Sequence, residues 1–363
     1  MIQAPKKICI LGISLGKGGA ERSMALQSKI LDNLGHQVHL VILTDSVLCE
    51  YSGELFNLGK LKNKKNSFLS RIFRFKKLRK YIKQNQFDYI IDNRPRNNYL
   101  REWYYQNYIY KGVTKIYVVH TSFYNNVLTN RSTLMKGLYL KNKLNVTVSN
   151  YIENEILNKN GIFNTVTIHN PFDAQWNVNN STLPAVLKDK NYILSYGRLE
   201  DKIKDISFLI QSFLISNLWK KEIYLVIMGD GTDKEKLINI AKNSLASDYI
   251  IFLNYEKEPF SIIKNAKFTT LTSRYEGFPM VLVESLSLAT PVVSLDIISG
   301  PAEIIQHKKN GLLVSGRNVY EFAKAMCSFF ENENLYTDCK NFAKESVNKY
   351  SLESVSVKWD KFI

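Results

Sequence analysis

The acidic side chains best suited to chemistry are Glu276 and Glu284, which stand eight positions apart. Residues 267–272 are rich in β-forming types and predict a buried parallel strand, and Pro279 suits the first turn of a helix. Glu276 is therefore expected in the loop at the carboxyl end of the strand, and Glu284 inside the helix. Free N–H groups near Met280 would carry the positive end of the helix dipole. This arrangement fits a sugar nucleotide, because carboxylates accept hydroxyl protons of sugars and a helix N-terminus binds a diphosphate.

A structural interpretation of the two glutamates stays open, in which Glu276 is a solvated loop residue and Glu284 only offsets the helix dipole. Glu276-Gly-Phe-Pro followed by Glu284 nevertheless resembles the E-x7-E motif of the retaining glycosyltransferases of family 4, which have the GT-B fold. The flanking segments that extend the resemblance are Ser273-Arg-Tyr, Ala289-Thr-Pro-Val-Val and Asn310-Gly-Leu-Leu-Val. The resemblance implies that Glu276 contacts the hydroxyls of the donor sugar and that Glu284 holds the ribose. The turn residues it adds to the donor site are Gly277, Phe278, Pro279, Met280 and Val281.

The length and composition of the chain predict a two-domain globular protein. At 363 residues it exceeds the size at which single cores stop growing, about 250–300 residues, and 45% of its residues are hydrophobic. A long apolar run and a signal peptide are both lacking, so a cytosolic protein is expected. The four cysteines have no metal-site or disulfide spacing. The net charge of +16 predicts an anionic partner, for which nucleic acid, an acidic membrane surface and phosphorylated substrates all qualify.

Alternating strand and helix patterns predict two doubly wound α/β domains with parallel sheets. The predicted strands are residues 7–14, 38–44, 89–93, 116–120, 146–149 and 165–169, then 192–196, 223–228, 250–253, 268–271, 292–295 and 312–314. A polar linker is expected over 174–190. The resemblance implies an acceptor-side, membrane-facing domain over 1–172, a nucleotide-sugar-binding domain over 173–345, and a terminal helix over 346–363 that crosses back to the first domain. The anchors predicted for this tail are Tyr350, Val357, Trp359 and Phe362.

The first strand runs into the glycine-rich loop Gly16-Lys-Gly-Gly-Ala-Glu-Arg. A nicotinamide-dinucleotide site is disfavoured, because the glycines do not form G-x-G-x-x-G and Asp45 lies too far along for the ribose acid. The loop instead resembles one that begins many family-4 glycosyltransferases. The resemblance implies that Gly18 and Gly19 let the backbone approach the donor phosphates and the acceptor.

Further site residues follow from the same resemblance. Tyr196-Gly-Arg-Leu and the lysines after it resemble the Gly-Arg-Leu…Lys-Gly motif, which implies that Arg198 and Lys204 hold the donor diphosphate. Lys204 takes the position of the motif lysine only if the loop has one extra residue, and Asp205 then stands in place of the motif glycine. Lys204 is the better candidate for binding the diphosphate, and Lys202 is the second candidate. Gly229 and Gly231 resemble a turn near the nucleotide. Asn254 follows the strand that flanks the base.

His120 ends a predicted strand of the first domain, and the resemblance implies that it contacts the transferred sugar. A structural role for this single histidine stays open. The sequence contains no Asp-x-Asp motif. We therefore expect no metal and no cofactor, with Arg198, Lys204 and the helix N-terminus stabilising the leaving diphosphate.

Residues 60–83 hold eleven cations and no acid, interleaved with apolar residues. The pattern is typical of an amphipathic helix on a membrane surface, although a solvated helix packed on the sheet stays possible. Phe68, Ile72, Phe75 and Ile82 are predicted to form the apolar stripe, and Phe68, Phe73 and Phe75 are expected to insert partially into the bilayer. Arg94, Arg96, Arg101 and the aromatic residues 103–110 extend the basic-aromatic character. No nucleic-acid motif is recognisable.

The sequence thus predicts a bacterial, retaining, metal-independent glycosyltransferase. It would transfer a hexosyl or N-acetylhexosaminyl group from a UDP-sugar to a lipid-linked oligosaccharide, lipopolysaccharide or other surface-polysaccharide acceptor. It would work at the inner face of the cytoplasmic membrane. The alternative is a non-catalytic basic protein of the same fold that binds a membrane or nucleic acid.

Overall fold

The computed structural model describes residues 4–62, 67–177 and 182–363. The chain forms two compact units. The first comprises Met1–Pro171 together with Leu352–Ile363, and the second comprises Phe172–Ser351. The predicted domain boundary after residue 172 differs from this division by one residue, and the predicted start of the terminal segment at 346 differs by six.

The first unit is built on a parallel sheet in the order β3-β2-β1-β4-β5-β6-β7. Its strands are β1 (Lys7–Gly12), β2 (Gln37–Ile42), β3 (Glu54–Asn57), β4 (Tyr89–Asp92), β5 (Thr114–Val119), β6 (Leu144–Thr147) and β7 (Thr165–Thr167). β3 was not predicted from the sequence. It is a four-residue edge strand without a buried residue, so it lacks the apolar run that marks the central strands.

The second unit has a parallel sheet in the order β10-β9-β8-β11-β12-β13. Its strands are β8 (Tyr192–Tyr196), β9 (Tyr224–Met228), β10 (Ile250–Leu253), β11 (Phe268–Leu271), β12 (Val292–Asp296) and β13 (Gly311–Ser315). These strands match the predicted ones to within two residues at each end. The predicted class of two doubly wound α/β sheets is confirmed. The sequence could reveal it because near-continuous apolar runs mark strands that are buried on both faces.

Helices connect the strands and cover the sheets. In chain order they are α1 (Gly19–Asn33), α2 (Phe68–Asn85), α3 (Tyr99–Tyr104), α4 (Ser132–Tyr139), α5 (Asp201–Lys204), α6 (Ile206–Ser216), α7 (Lys234–Lys242), α8 (Phe260–Asn265), α9 (Met280–Ser287), α10 (Pro301–Ile304), α11 (Val319–Glu331), α12 (Glu333–Ser346) and α13 (Leu352–Asp360). None of the helices in the described ranges combines the length and the hydrophobicity needed to cross a membrane. Cys9, Cys49, Cys327 and Cys339 are all free thiols.

The predicted linker over 174–190 is wrong as a boundary between the units. Trp176 stacks on Phe260 with ring centroids 5.3 Å apart, and Leu187 is buried in the core of the second unit. These apolar side chains attach the segment to the second unit in spite of its many polar residues. Residues 178–181 lie outside the described ranges.

The last helix, α13, belongs to the first unit and packs against α1. Val355 and Trp359 are buried on one helix face, because they are four residues apart. Val357 lies between them in sequence and is 60% exposed, so its prediction as an anchor is wrong. Tyr350 packs on Phe278 of the second unit and does not anchor the tail to the first.

Helix α2 carries most of the predicted basic segment and places its cations in different surroundings. Its outer surface exposes four lysines, which are Lys76, Lys77, Lys80 and Lys83. Phe73 is exposed on the same helix. Arg79 instead donates from Nη1 to the carbonyls of Ile109 (2.9 Å) and Lys111 (3.0 Å). The structure therefore assigns Arg79 to holding the fold, although the sequence grouped it with the lysines.

The apolar stripe of α2 differs in part from the predicted one. Leu78 and Ile82 are buried, while Ile72 and Phe75 are half-buried. Phe75 packs edge-on against Tyr105 with centroids 5.6 Å apart, so its predicted insertion into a bilayer is wrong. Lys64, Lys65 and the side chain of Phe68 lie outside what the structure describes.

Two arginines expected on the basic-aromatic surface are buried instead. The Arg94 guanidinium donates to Asp92 Oδ2 (2.7 Å) and Glu102 Oε2 (3.1 Å) and lies 3.5 Å from the Tyr105 ring centroid. Arg96 is buried as well. Burial of a guanidinium is tolerated here because carboxylates and an aromatic face pair with it. Neither arginine is available to a surface partner.

Candidate active site

Two glycines of the second unit let the loops after β8 and β9 lie against each other. The backbone N–H of Leu199 donates to the carbonyl of Asp230 at 2.9 Å. A Cβ on Gly229, whose φ is +148°, would lie 1.9 Å from the Gly197 oxygen, and one on Gly231 would lie 2.3 Å from the Leu199 oxygen. Only glycine fits such close backbone approach, so the predicted Gly-x-Gly turn has a structural cause independent of any nucleotide.

Arg198 lies in the loop after β8, between Gly197 and Leu199. Its side chain is 58% exposed, and Nη1 lies 3.5 Å from Glu200 Oε1. A contact of that length at an exposed site holds the guanidinium weakly. Arg198 is therefore available to an anion.

Helix α5, which ends at Lys204, is joined to the end of β11 by hydrogen bonds to its backbone carbonyls. Arg274 N donates to the Ile203 carbonyl (2.7 Å), and Thr272 Oγ1 donates to the Lys204 carbonyl (3.0 Å). These bonds fix the backbone on both sides of the next contact. They bring together two segments that lie far apart in the sequence.

Lys204 and Glu276 form an ion pair at this junction. Lys204 Nζ lies 2.5 Å from Glu276 Oε1, and the Ser273 hydroxyl donates to the same oxygen at 2.6 Å. The side chains of Lys204 and Glu276 are 21% and 14% exposed, so each retains some access to solvent. Lys202 is exposed on the same turn. Of the two lysines considered from the sequence, the structure brings Lys204 to Glu276.

The turn that carries Glu276 is supported from behind. The Ser299 hydroxyl donates to the Gly277 carbonyl (2.9 Å), and Phe278 packs edge-on against Tyr350. Gly300 has a φ of +97°, and a Cβ there would lie 2.3 Å from Pro279 Cδ. Gly300 is thus required by the turn, although nothing local in the sequence marked it.

The helix after this turn begins one residue later than predicted. Pro279 is the N-cap, and α9 begins at Met280, followed by Val281 in its first turn. Glu284 lies inside this helix and is only 3% exposed. Its Oε2 lies 3.1 Å from the hydroxyl of Tyr196, which ends β8. The two glutamates therefore differ in access, since Glu276 retains some exposed surface and Glu284 is buried.

Asp205 supports the loop of the candidate site, although the sequence marked it only as standing where the family has a glycine. It has a φ of +50°, in the left-handed region that favours glycine. Its Oδ2 lies 2.7 Å from Arg317 Nη1 and 2.9 Å from Arg274 Nη2. Arg317 also donates to the carbonyls of Thr272 (2.9 Å) and Ser273 (2.7 Å). The Asp205–Arg317 pair therefore fastens the loop of Lys204 to the strand end before Glu276.

Burial and pairing act in opposite directions on the charge of Arg317. Burial lowers the pKa of Arg317, and the neighbouring Asp205 carboxylate counteracts this by favouring the charged form. The Arg317 guanidinium donates hydrogen bonds to one carboxylate and two carbonyls. Bonds of this charge-assisted kind are among the stronger ones in proteins.

Asn254 follows β10 and is exposed. Its Oδ1 accepts a hydrogen bond from Lys234 Nζ at 2.6 Å, and the same ammonium lies 3.3 Å from Asp230 Oδ1. The predicted base-flanking residue therefore has its amide orientation set by a lysine. Across the described residues, no group of three or more His, Cys, Asp or Glu side chains has the arrangement of a metal site.

The predicted residues of the first unit lie at the carboxyl end of its sheet. Gly18 is the N-cap of α1 and Gly19 its first residue. A Cβ on Gly18 would lie 2.1 Å from Glu21 Oε2, so a side chain here would displace the acid of the first turn. The loop thus presents bare backbone, as its composition predicted.

His120 directly follows β5 and is held by one of its two nitrogens. Nε2 lies 2.8 Å from Asn93 Oδ1, and Asn93 Nδ2 donates to Gln27 Oε1 at 3.0 Å, so Oδ1 is the acceptor and His120 Nε2 carries a proton. Nδ1 is buried and has no hydrogen-bond partner in the described part of the chain. Burial, with a smaller effect of Arg96, lowers the pKa of His120 to about 3. The imidazole is therefore neutral at physiological pH and supplies no positive charge.

Two family models together match most of the chain. The model described as Glycosyltransferase Family 4 matches residues 17–176, and the one described as Glycosyl transferases group 1 matches residues 183–346. The matches divide the chain as the two units do. The chain belongs to the glycosyltransferases of family 4, and its two parallel α/β sheets have the GT-B architecture.

Curated relatives agree with this assignment. The N-acetylgalactosamine-N,N'-diacetylbacillosaminyl-diphospho-undecaprenol 4-alpha-N-acetylgalactosaminyltransferase of Campylobacter jejuni is 27% identical over 93% of this chain and 94% of its own length. The lipopolysaccharide 1,6-galactosyltransferase of Escherichia coli K12 is 29% identical over 52% of each chain.

Solved structures with the same fold include TarM of Staphylococcus aureus, with a TM-score of 0.79, 16% identity and 99% coverage of both chains. HepE of Anabaena in complex with UDP has a TM-score of 0.77, 16% identity and 98% coverage of both chains. At these identities the likeness establishes the fold.

Proposed function

We propose that this glycosyltransferase transfers a hexosyl or N-acetylhexosaminyl group from a UDP-sugar to a lipid-linked or lipopolysaccharide glycan, with retention and without a metal ion. The observation that carries the proposal is the Lys204–Glu276 pair, joined by Ser273 and placed in the same unit as the exposed Arg198. Such a set offers a carboxylate to sugar hydroxyls and two cations to a diphosphate.

The cations support the metal-independent route. Arg198 offers a fork of donors and Lys204 a mobile charge, and both would counter the charge that develops on the departing diphosphate. On donor binding, Lys204 would exchange part of its contact with Glu276 for a phosphate oxygen. Glu276 would then be free to accept a hydrogen bond from the sugar.

Support for the donor and acceptor comes from relatives. Crystal structures of TarM and of HepE, which share this fold, contain UDP. The Campylobacter relative is named for a diphospho-undecaprenol acceptor and the Escherichia relative for lipopolysaccharide. An acceptor of this amphiphilic, membrane-borne kind fits the surplus of 49 basic over 33 acidic residues.

The outer face of α2 supports a peripheral position on the inner face of the cytoplasmic membrane. Its exposed lysines, with Phe73 beside them, form a basic surface that the buried residues of the helix attach to the sheet. Each cation near an anionic bilayer contributes on the order of 1 kcal/mol. Several together would hold the enzyme where a lipid-linked acceptor lies.

The test is a panel of UDP-sugars incubated with the protein, alone and with a polyprenyl-diphosphate-linked glycan or a lipopolysaccharide core. We expect slow UDP release alone and faster release with the correct acceptor. The anomeric configuration of the product, read by NMR, tests retention. A protein that binds no UDP-sugar and releases no UDP would refute the proposal. A product with inverted anomeric configuration would refute the retaining mechanism.

A further inference from the structure

A pocket of about 520 Å³ lies within the second unit, between the first turns of α6 and α11. Helix α6 contributes Ser207, Phe208 and Gln211 to its walls, and the start of α11 contributes Val319 and Tyr320. A cavity of this size is in the range of small-molecule sites. The pocket is therefore large enough for a ligand the size of a monosaccharide.

The charged residues that line the pocket are paired with one another. Asp205 Oδ2 lies 2.7 Å from Arg317 Nη1 and 2.9 Å from Arg274 Nη2. Both guanidinium groups thus have a carboxylate partner already, and the charge of Asp205 would repel a phosphate. The Arg274 side chain is still 52% exposed, so it retains N–H groups that can donate to a neutral ligand.

The helix ends beside the pocket are capped by side chains. Asn318 Oδ1 accepts hydrogen bonds from the backbone N–H groups of Tyr320 (2.9 Å) and Glu321 (3.4 Å) at the start of α11. In the first turn of α6, the N–H of Ser207 donates to Asp201 Oδ1 at 2.9 Å. These are among the groups with which a helix N-terminus binds an anion, and here the protein itself occupies them. The pocket is therefore not arranged as a phosphate site.

Three polar groups around the pocket are left over for a ligand. The Gln211 amide, Asn318 Nδ2 and the Tyr320 hydroxyl have no hydrogen-bond partner among the residues that the structure describes. Together with Arg274 they offer both donors and acceptors. A sugar hydroxyl can use both kinds of group, since it donates and accepts hydrogen bonds, whereas the oxygens of an ionised phosphate only accept. The combination therefore fits a polyhydroxyl ligand.

Tyr320 adds an apolar surface to these polar groups. It is 67% exposed, whereas Phe208 is buried and packs edge-on against Phe322 with ring centroids 5.7 Å apart. An exposed aromatic ring has a flat apolar face, against which the C–H groups on one side of a pyranose ring pack while its hydroxyls stay at the rim. The pocket thus combines an aromatic face with hydrogen-bonding groups, as recognition of a sugar requires.

We propose that this pocket binds one sugar unit of a glycan, apart from the sugar that is transferred. Tyr320 packs against the face of the pyranose ring. Gln211, Asn318 and Arg274 bind its hydroxyls. A phosphate would leave the aromatic face unused, and a purely apolar ligand would leave the amides without partners.

The pocket is separate from the ion pair of the candidate active site. Neither Lys204 nor Glu276 lines it, although Asp205 follows Lys204 directly in the sequence. The inference rests on the proposed function for the source of the glycan, because such an enzyme meets glycans of more than one sugar as acceptor and product. A second sugar contact adds affinity for longer glycans without touching the reacting atoms.

The experiment measures binding of methyl α-glycosides by saturation-transfer NMR, with UDP at saturation so that the donor site is occupied. The probes are the methyl α-glycosides of glucose, galactose, N-acetylglucosamine and N-acetylgalactosamine. We expect at least one of them to bind the parent, and Tyr320→Ala to weaken that binding at least about fivefold, because the aromatic contact is lost. Gln211→Ala should weaken it about twofold to fivefold, through the lost amide hydrogen bonds.

Two controls separate the pocket from general effects of substitution. Tyr320→Trp keeps a flat aromatic ring and should bind the glycoside within about twofold of the parent. Lys324→Ala changes an exposed residue of the same helix that does not line the pocket, so it should bind the glycoside as the parent does.

Several outcomes would overturn the inference. These are a parent that binds none of the four glycosides, binding that is the same in the parent and in Tyr320→Ala, and equal weakening by Lys324→Ala and Tyr320→Ala. Inorganic phosphate is titrated under the same conditions and should not displace the glycoside. Displacement by phosphate would make the pocket an anion site and would overturn the inference as well.

UDP release from the donor is measured on the same preparations. Tyr320→Ala should release UDP at the rate of the parent, because Tyr320 lies outside the candidate donor site. A parent that releases UDP but binds no glycoside would refute the pocket and leave the proposed function standing. A parent that binds a glycoside through Tyr320 but neither binds a UDP-sugar nor releases UDP would support the pocket and refute the proposed function.

Discussion

The two sheet edges that carry candidate residues differ in how their charges are balanced. At the edge of the second unit, Glu276 is paired with Lys204 and Asp205 with Arg317, so acids and cations alternate within hydrogen-bonding distance. In the first unit, Arg94 and Arg101 pair with Asp92 or Glu102, whereas four lysines of α2 are exposed. Mixed charge suits a ligand with both hydroxyls and phosphates, whereas unbalanced positive charge suits an anion. This difference agrees with the proposed sugar-nucleotide site in the second unit and the proposed membrane surface on α2 of the first.

The edges also differ in how their charges are supported. In the second unit the supporting arginine, Arg317, binds the very strand end that precedes Glu276. In the first unit, Arg94 pairs with the buried Asp92 and Glu102. The charged support therefore lies beside the candidate carboxylate in the second unit and within the core in the first. The following predictions test this comparison, beginning with the largest effect.

The division of roles between the two glutamates gives the largest expected effect. Glu276→Ala should abolish transfer and leave UDP binding nearly intact, because the proposal places this accessible carboxylate against the sugar and the nucleotide elsewhere. Glu284→Ala should weaken UDP binding, since the buried carboxylate with Tyr196 is expected to hold the ribose. Calorimetry with UDP and a transfer assay check both. Equal loss of UDP affinity in the two variants would contradict the assignment.

Removing either of the two cations that are proposed to bind the diphosphate should strongly reduce the rate of sugar transfer. Arg198→Ala and Lys204→Ala should each lower kcat by about 10²–10³, the usual effect of losing a preorganised charged donor. Lys202→Ala is the matched control and should retain most of the activity, because Lys202 does not contact Glu276. Activity that is lost in EDTA and restored by Mg²⁺ would contradict the metal-independent route.

The tie between Asp205 and Arg317 should have a smaller effect, on positioning. Arg317→Ala should lower kcat by about tenfold to 10²-fold, because small displacements of reacting groups are costly, while KM for the donor changes little. Arg317→Lys keeps one charged bond to Asp205 and should recover part of the rate. Asp205→Gly restores backbone freedom but removes the tie, so it should resemble Arg317→Ala. A variant that loses thermal stability but keeps kcat would assign the tie to folding alone.

The lysine surface of α2 should affect only transfer to membrane-borne acceptors. Replacing its four lysines with Ser should release the protein from anionic vesicles and slow that transfer severalfold, while donor hydrolysis stays near normal. The lysines are Lys76, Lys77, Lys80 and Lys83. Arg79 is left in place because it binds two carbonyls.

Co-sedimentation with vesicles across a salt series is the measurement for the lysine surface. The control replaces four exposed lysines of the second unit: Lys221, Lys242, Lys324 and Lys344. It changes the net charge equally and should leave vesicle binding near that of the parent. Binding that ignores salt, or equal release of the control, would make the α2 lysines an ordinary solvated face.

The sequence by itself determined the architecture, since strand and helix patterns depend on residues close together in the chain. It also determined the positions of Glu276, Arg198 and the glycine turns, because parallel strands end on one edge and close backbone approach demands glycine. β3 was missed because an exposed edge strand has no buried apolar run.

The tertiary structure decided which of these residues meet. Lys204 and Glu276 are 72 positions apart, and Arg317 and Asp205 are 112 apart, so no local pattern records either pair. It also decided which cations are buried: the sequence grouped Arg94 with the basic surface, yet the fold packs Arg94 against the buried carboxylates of Asp92 and Glu102. The physical reason is that periodicity encodes which side of an element faces inward, whereas a side chain's partner and electrostatic state depend on what the rest of the fold places beside it.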